Sequence, residues 1–195
     1  RANRVLRVIF FLPSVTSGIA VVLVWGWVFR GDDVGLLNSL LSAFGIAPVE
    51  WLATPSLAIP ILIFMSIWGG AGFGMVLFLA GLNAIPAMYY EAAVIDGANR
   101  RERFRYITLP AIRAITSALI ALNIIWNFSS FGLVFVLTAG GPGGKTFVPA
   151  LFAYNEAFKY GNFGYAAAMG VVMALAIVGM LSIYLRATKK EDTQR

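Results

Sequence analysis

The fold is decided by the stretch Glu91-Ala92-Ala93-Val94-Ile95-Asp96-Gly97-Ala98, which lies between two long apolar segments. Pro86 precedes this stretch and favours a first helical turn, and Gly97 suits the left-handed position that ends a helix. Asn99 can cap a second short helix, because Glu102 follows it at the spacing of a capping box. The stretch therefore predicts a helix, a glycine turn and a second helix, which together project from a membrane-embedded body.

Composition sets the class of protein. Of the 195 residues, 59% are hydrophobic and 12% are charged, and the mean hydropathy is +0.81. A soluble domain of this size does not need so much apolar surface, so we expect an all-α, polytopic transmembrane helical bundle. The chain has no cysteine and no histidine. This removes disulfides, thiolate or imidazole metal ligands and histidine-based catalysis from the segment.

Four apolar runs are each about long enough to cross ~30 Å of hydrocarbon. They cover residues 8–29, 57–82, 111–137 and 163–185, with a loop at residues 86–110 between the second and the third. Trp25 and Trp27, near the end of the first run, suit an aromatic belt at the membrane interface. The sequence therefore predicts four membrane spans.

The distribution of Lys and Arg predicts the orientation of these spans. Basic residues concentrate in three segments that four spans would place on one side of the membrane: Arg1, Arg4, Arg7, Arg100, Arg101, Arg103, Arg105, Arg113, Arg186, Lys189, Lys190 and Arg195. The other two loops hold only Arg30, Lys145 and Lys159. The positive-inside rule then places both ends and the 86–110 loop in the cytoplasm. This topology accounts for the net charge of +6 without nucleic-acid binding.

The two loops on the other side have different characters. Residues 32–48 carry apolar side chains at helical spacing, which predicts a short amphipathic helix in the outer interface. Residues 138–146 are rich in glycine and contain Pro142, which predicts tight turns rather than a regular element. Residues 147–160 then predict another short helix before the last span.

A band of polar side chains interrupts the third apolar run. Asn123, Asn127 and Ser130 recur at i, i+4 and i+7, so they share one helix face. Polar amides in a bilayer should face a cavity or another helix. Two interpretations stay open: hydrogen bonds between helices, or contacts to a hydroxyl-rich solute with Trp126 or Phe131 stacked on a sugar face. For Gly70-x-x-x-Gly74 in the second run, tight helix packing is favoured.

The 86–110 loop carries a recognisable spacing. Glu-Ala-Ala, three residues, Gly, nine residues and Ile-x-Leu-Pro resembles the cytoplasmic signature of binding-protein-dependent ABC importer permeases. Every fixed position of that signature is filled, by Glu91, Ala92, Ala93, Gly97, Ile107, Leu109 and Pro110. The alternative is an ordinary amphipathic loop helix. The Gly-Gly-Pro at 140–142 and the Gly-Tyr-Ala-Ala-Ala at 164–168 are similar to the sugar-importer branch, which includes maltose-type and glycerol-phosphate-type permeases.

The resemblance implies roles for individual residues. The helix that begins the loop would be a coupling helix that docks on a separate ATPase subunit. Ala92, Ala93 and Gly97 would permit close approach, and Glu91, with Asp96 as a weaker candidate, would pair with a basic group. A solvated carboxylate is the alternative for Glu91, because exposed ion pairs contribute only ~0–1 kcal/mol. By position, the resemblance points to a sugar path formed by Asn123, Asn127, Ser130, Gly132, Ser66, Gly69, Gly70 and Ser14.

The resemblance also implies an assembly. We expect a permease of a bacterial or archaeal inner membrane that has no catalytic residue and no cofactor. ATP would be hydrolysed by ATP-binding partner subunits, since the chain has no Gly-x-x-x-x-Gly-Lys-Ser/Thr loop. Further partners would be a second permease subunit, an extracytoplasmic solute-binding protein and membrane lipid. Residues 1–195 would form the C-terminal portion of one permease domain, with more helices upstream.

Two other classes of protein remain as alternatives. One is an ion-coupled secondary carrier or a channel-like protein. It is disfavoured because none of the four apolar runs contains an Asp or Glu, the usual groups for coupling ions to transport. The other is a structural membrane subunit that binds partners but moves no solute.

Overall fold

The computed structural model describes the backbone of residues 2–193 and the side chains of residues 8–188. All regular structure in this part of the chain is helical, which confirms the predicted all-α class. Six of the basic residues used to predict the orientation have side chains outside the described residues: Arg1, Arg4, Arg7, Lys189, Lys190 and Arg195. The predicted cytoplasmic position of both ends stays a prediction.

The helices follow the predicted order of long apolar and short connecting elements. They are α1 (Ala2–Val15), α2 (Gly18–Val28), α3 (Leu36–Ser42), α4 (Pro55–Asn83), α5 (Ala87–Ile95), α6 (Arg100–Arg103), α7 (Leu109–Ala111), α8 (Arg113–Phe128), α9 (Gly132–Leu137), α10 (Pro149–Tyr154) and α11 (Phe163–Thr193). Two π-helical turns, Phe104–Thr108 and Asn155–Lys159, lie between α6 and α7 and after α10.

Two helices in the described part of the chain are long and apolar enough to cross a membrane by themselves. They are α4 and the Phe163–Thr188 part of α11. A third span results if the segments Arg100–Ala111 and Arg113–Phe128, which meet at an angle of 58°, are counted as one. The predicted number of four spans is therefore not confirmed and stays a prediction.

The first apolar run is not one continuous helix. It divides into α1 and α2 at Thr16 and Ser17, where Ser17 is extended with φ −55° and ψ 126°. Pro13 has no N–H to donate to the preceding turn, and the Thr16 hydroxyl donates to the Leu12 carbonyl at 2.8 Å. Gly18 follows Ser17 directly. Thr16, Ser17 and Gly18 are all poor helix formers, so the helix ends at this point.

The third run is also broken, at both of its ends. The 58° bend falls at Ile112, two residues after Pro110. Proline removes one helical hydrogen bond and crowds the preceding turn, which accounts for the bend. At the other end α8 stops at Phe128, and residues 129–131, which include Ser129 and Ser130, separate it from α9. Serine and glycine are poorer helix formers than the apolar residues before them.

Helix α1 crosses α4 closely at Gly72. A methyl group at Gly72 would overlap the Phe10 carbonyl oxygen and the Ser14 hydroxyl, and would lie 3.2 Å from the Phe11 Cα. By contrast, nothing lies within 4 Å of the position of a methyl at Gly70 or Gly74. Within the described residues, Gly70 and Gly74 make no close helix contact, because α1 crosses the face of α4 that carries Gly72. Their predicted packing role stays a prediction.

A buried asparagine closes the loop between α2 and α4. Asn38 is 1% exposed, and its amide nitrogen donates to the carbonyls of Arg30, Asp32 and Val49 at 3.1 to 3.2 Å. Its amide oxygen accepts from the Val49 N–H at 3.1 Å and from the Trp51 indole at 2.9 Å. Helix α3, which confirms the predicted short helix in residues 32–48, carries this side chain.

Aromatic and aliphatic contacts hold α2, α4 and α9 together on the same side as this loop. Trp25 of α2 packs on Trp68 of α4, with ring centroids 5.4 Å apart. Trp25 is half-buried there, whereas Trp27 is exposed. The predicted interfacial position of both residues stays a prediction. Leu62 and Val134 form an apolar core with Leu151.

We predict that Gly72→Ala lowers the thermal stability of the chain. Alanine favours a helix over glycine by about 1 kcal/mol, but here the added methyl overlaps the backbone of α1, and overpacking costs about 1–3 kcal/mol. The measurement is thermal unfolding in detergent, followed by tryptophan fluorescence. Gly74→Ala in the same helix is the matched control and should not lower the melting temperature. Equal melting temperatures for the two variants would contradict the prediction.

Candidate functional site

The turn between α5 and α6 has the predicted conformation. Gly97 has φ +79°, and its N–H donates to the Val94 carbonyl at 3.0 Å. The Ala98 N–H donates to the Ala93 carbonyl at 2.8 Å. These two bonds form a Schellman motif, which needs a left-handed residue and therefore favours glycine at this position.

The start of α6 confirms the predicted capping box. The side-chain oxygen of Asn99 accepts from the Arg101 and Glu102 N–H groups at 2.9 and 3.0 Å. The Glu102 carboxylate accepts from the Asn99 N–H at 2.8 Å. The backbone polar groups at both ends of the glycine turn are therefore paired by local hydrogen bonds. These bonds fix the direction in which α5 projects from the turn.

One face of α5 is exposed. Met88 is 67% exposed and Ile95 is 86% exposed, and Glu91 and Ala92 between them are also exposed. These four residues follow at i, i+3, i+4 and i+7, so they form one stripe. Ala93 is half-buried on another face. The stripe presents two large apolar side chains around one carboxylate, a surface suited to another protein.

The sequence prediction for this surface was incomplete. It included Glu91, Ala92, Ala93, Asp96 and Gly97 but omitted the two most exposed apolar side chains of the stripe, which are Met88 and Ile95. Their spacing with Ala92 at i, i+4 and i+7 was a signal that could have found them. Asp96 is exposed at the C-terminal cap of α5.

Seven residues of the predicted solute path line one groove between α2, α4 and α8. The groove has a volume of about 320 Å³, and the seven residues are Ser66, Gly69, Gly70, Asn123, Trp126, Asn127 and Ser130. Pro13, Gly18 and Trp25 also line it, although they were not predicted. No charged side chain contributes to its lining.

Three predicted path residues lie outside this groove. Ser14 packs on Gly72 at the α1–α4 crossing. Phe131 stacks on Phe135 and contacts Tyr154, with ring centroids 4.9 Å apart in both pairs. Gly132 begins α9. Ser14 and Phe131 contact neighbouring elements that spacing along a single helix does not reveal.

The asparagine donors turn back onto their own helix. Asn123 donates to the Leu119 carbonyl at 2.8 Å, and Asn127 donates to the Asn123 carbonyl at 2.9 Å. Within the described residues, neither amide bonds to another helix. Both asparagines are exposed, so their side chains remain available to a molecule in the groove. Trp126 beside them is held edge-to-face by Phe73, with ring centroids 5.3 Å apart.

The lining of the groove can bind a neutral polar molecule. Among the described side chains, no group of three His, Cys, Asp or Glu could hold a metal ion. Amides, hydroxyls and an indole face can hydrogen-bond to a neutral polar molecule and stack on its apolar side.

Comparison with known proteins identifies relatives over nearly the whole chain. A family model described as binding-protein-dependent transport system inner membrane component matches residues 1–190. The trehalose/maltose transport system permease protein MalF of Thermococcus litoralis is 36% identical over 186 residues. This match covers 95% of the chain and 62% of that relative. The osmoprotective compounds uptake permease protein GgtC of Synechocystis is 34% identical, over 100% of the chain and 71% of its own length.

A solved structure has the same fold. The crystal structure of a bacterial alginate ABC transporter, in complex with an alginate pentasaccharide-bound periplasmic protein, contains a chain that superposes with a TM-score of 0.84 at 24% identity. The match covers 97% of the present chain and 66% of that chain. The present chain thus spans less than two thirds of that chain and of the trehalose/maltose permease.

We predict that a thiol in the groove is accessible to water. The chain has no cysteine, so Asn127→Cys introduces a single one. A charged methanethiosulfonate should modify it about tenfold faster than a cysteine at Ile183, since the reaction needs a hydrated thiolate. Ile183 is exposed on the apolar helix α11 and is the control. Modification rates are measured in native membranes, and equal rates at the two positions would contradict a hydrated groove.

Proposed function

Because the chain belongs to the family of binding-protein-dependent transport system inner membrane components, we propose that it acts as a permease subunit of an ATP-driven importer. Its solute would be a sugar or a sugar-like molecule. The observation that carries this proposal is the exposed stripe of α5, fixed in direction by the Schellman motif and the capping box. A helix that projects in this way can receive movement from a partner.

The stripe supports docking on an ATP-hydrolysing subunit. Ile95 and Met88 would enter apolar depressions of that subunit, and Ala92 would let the two backbones approach closely. The carboxylate of Glu91, which makes no hydrogen bond or ion pair with the described side chains, would face a basic group. Most of the binding free energy would come from burial of the apolar side chains, because exposed ion pairs contribute only ~0–1 kcal/mol.

The groove supports a neutral, hydroxyl-rich solute. Its polar groups are amides and hydroxyls without a charged partner, and these both donate to and accept from sugar hydroxyls. Trp126 adds an apolar ring face, which suits the C–H side of a pyranose. Two of the relatives are named for the transport of trehalose and maltose and for the uptake of osmoprotective compounds, which agrees with small polar solutes.

The expected mechanism is alternating access. A binding protein would deliver the solute from outside, and the groove between α2, α4 and α8 would hold it. Closure of two ATPase subunits would move α5, and the attached helices would then open the groove to the other side. A second permease subunit would supply the other half of the pathway. The chain itself would carry no catalytic group.

We predict that a cysteine on the stripe captures the ATPase subunit. Ala92→Cys in the full-length protein, expressed in its native host, should cross-link to a protein with a nucleotide-binding motif. Lys145→Cys is the control, since it is exposed in the loop predicted to lie on the other side of the membrane. If Ala92→Cys captures no ATPase while the protein still moves solute, the importer assignment fails and an ion-coupled carrier takes its place.

We predict a separate effect of the groove on affinity. Asn123→Leu removes an amide that faces the solute, so the KM for uptake of its sugar should rise about tenfold, equivalent to about 1.4 kcal/mol. Uptake is measured with a panel of radiolabelled neutral sugars that includes trehalose and maltose. Asn83→Leu, at the end of α4 and outside the groove, is the matched control. An equal KM for both variants would remove the groove from the solute path.

A further inference from the structure

We infer that Tyr90 and Thr108 are positioning residues that transmit movement of α5 to α8. The inference rests on the proposed function, since it concerns how the docking helix acts on the groove. Neither residue belongs to the exposed stripe or to the groove lining, and both are half-buried.

A single side-chain hydrogen bond ties α5 to the segment that leads into α8. The Tyr90 hydroxyl and the Thr108 hydroxyl lie 2.8 Å apart. Among the described side chains, no other hydrogen bond or ion pair joins α5 to the rest of the chain. A half-buried bond of this kind is shielded from competing water and holds its two partners in one geometry.

Apolar packing on this side of α5 does not hold the helix in place of the Tyr90–Thr108 hydrogen bond. A cavity of about 360 Å³ lies between the end of α4, helix α5 and the π-helical turn, and Ile85, Tyr89, Tyr106 and Ile107 are among its lining residues. Open space on this side of α5 leaves few dispersion contacts to resist a tilt of the helix. Besides the turn at residues 96–99, the Tyr90–Thr108 bond is therefore the polar contact that holds α5 against the π-helical turn within the described residues.

Thr108 lies at a point where a displacement changes the direction of α8. It ends the π-helical turn Phe104–Thr108 and precedes Pro110 and the 58° bend at Ile112. A displacement of Thr108 moves the short segment before this bend, and α8 is the longer segment after it. Because α8 carries Asn123 and Asn127, a change in the bend angle moves the amides that line the groove.

The competing account is that movement passes only through the covalent turn at residues 96–99. The Schellman motif and the capping box would then make α5 and α6 one rigid body. In that case the Tyr90–Thr108 bond stabilises the loop but does not affect how much solute each ATP moves.

The test measures coupling rather than activity alone. The assembled transporter, with its ATPase, second permease and binding protein, is reconstituted in vesicles of phosphatidylethanolamine and phosphatidylglycerol. Maltose uptake and ATP hydrolysis are measured together for Tyr90→Phe, Thr108→Val and the double variant. We expect each single variant to move about fivefold less maltose per ATP, which corresponds to about 1 kcal/mol. The double variant should fall no further, since both changes break the same bond.

The matched control is Tyr106→Phe, which removes the hydroxyl of a neighbouring tyrosine that is 72% exposed. It should leave the ratio of maltose to ATP unchanged. An unchanged ratio for Tyr90→Phe, or additive losses in the double variant, would overturn the inference. If Ala92→Cys still captures the ATPase in that case, the proposed function stands. If it captures none, the proposed function fails and this inference fails with it.

Discussion

Apolar surroundings oblige this chain to satisfy its backbone hydrogen bonds internally. Helices do so, and irregular backbone at membrane depth is tolerated where it is buried in protein or lines a cavity. The described chain leaves the helix at residues 16–17 and again at 129–131. Gly18, which follows the first break, and Ser130, which lies in the second, both line the groove between α2, α4 and α8. The helix breaks therefore occur where the irregular backbone lines the groove, as the need to pair backbone hydrogen bonds requires.

The 86–110 loop could be predicted in detail because its signals are local. A left-handed glycine and a capping box depend on residues within a few positions of one another, and Gly97, Asn99 and Glu102 adopt the expected geometry. The breaks in the apolar runs were harder to predict. Hydropathy averages over many residues, so single features such as Pro13 and Pro110 do not stand out in it.

The helix contacts needed information that a single sequence lacks. The spacing of Asn123, Asn127 and Ser130 placed them on one face, and they do line one groove. The face of α4 that meets α1 depends on where the two helix axes cross. The crossing lies at Gly72 rather than at Gly70 or Gly74. The Tyr90–Thr108 bond joins residues 18 positions apart that share no helix and hence no periodicity.

The buried Asn38 bears on how the protein is made. All five of its hydrogen bonds close between Arg30 and Trp51, so this loop needs nothing from later parts of the chain to fold. On the predicted topology these bonds can form once the loop has crossed the membrane, while α8 and α11 are still to be synthesised. They then hold the end of α2 near the start of α4 without help from the later helices.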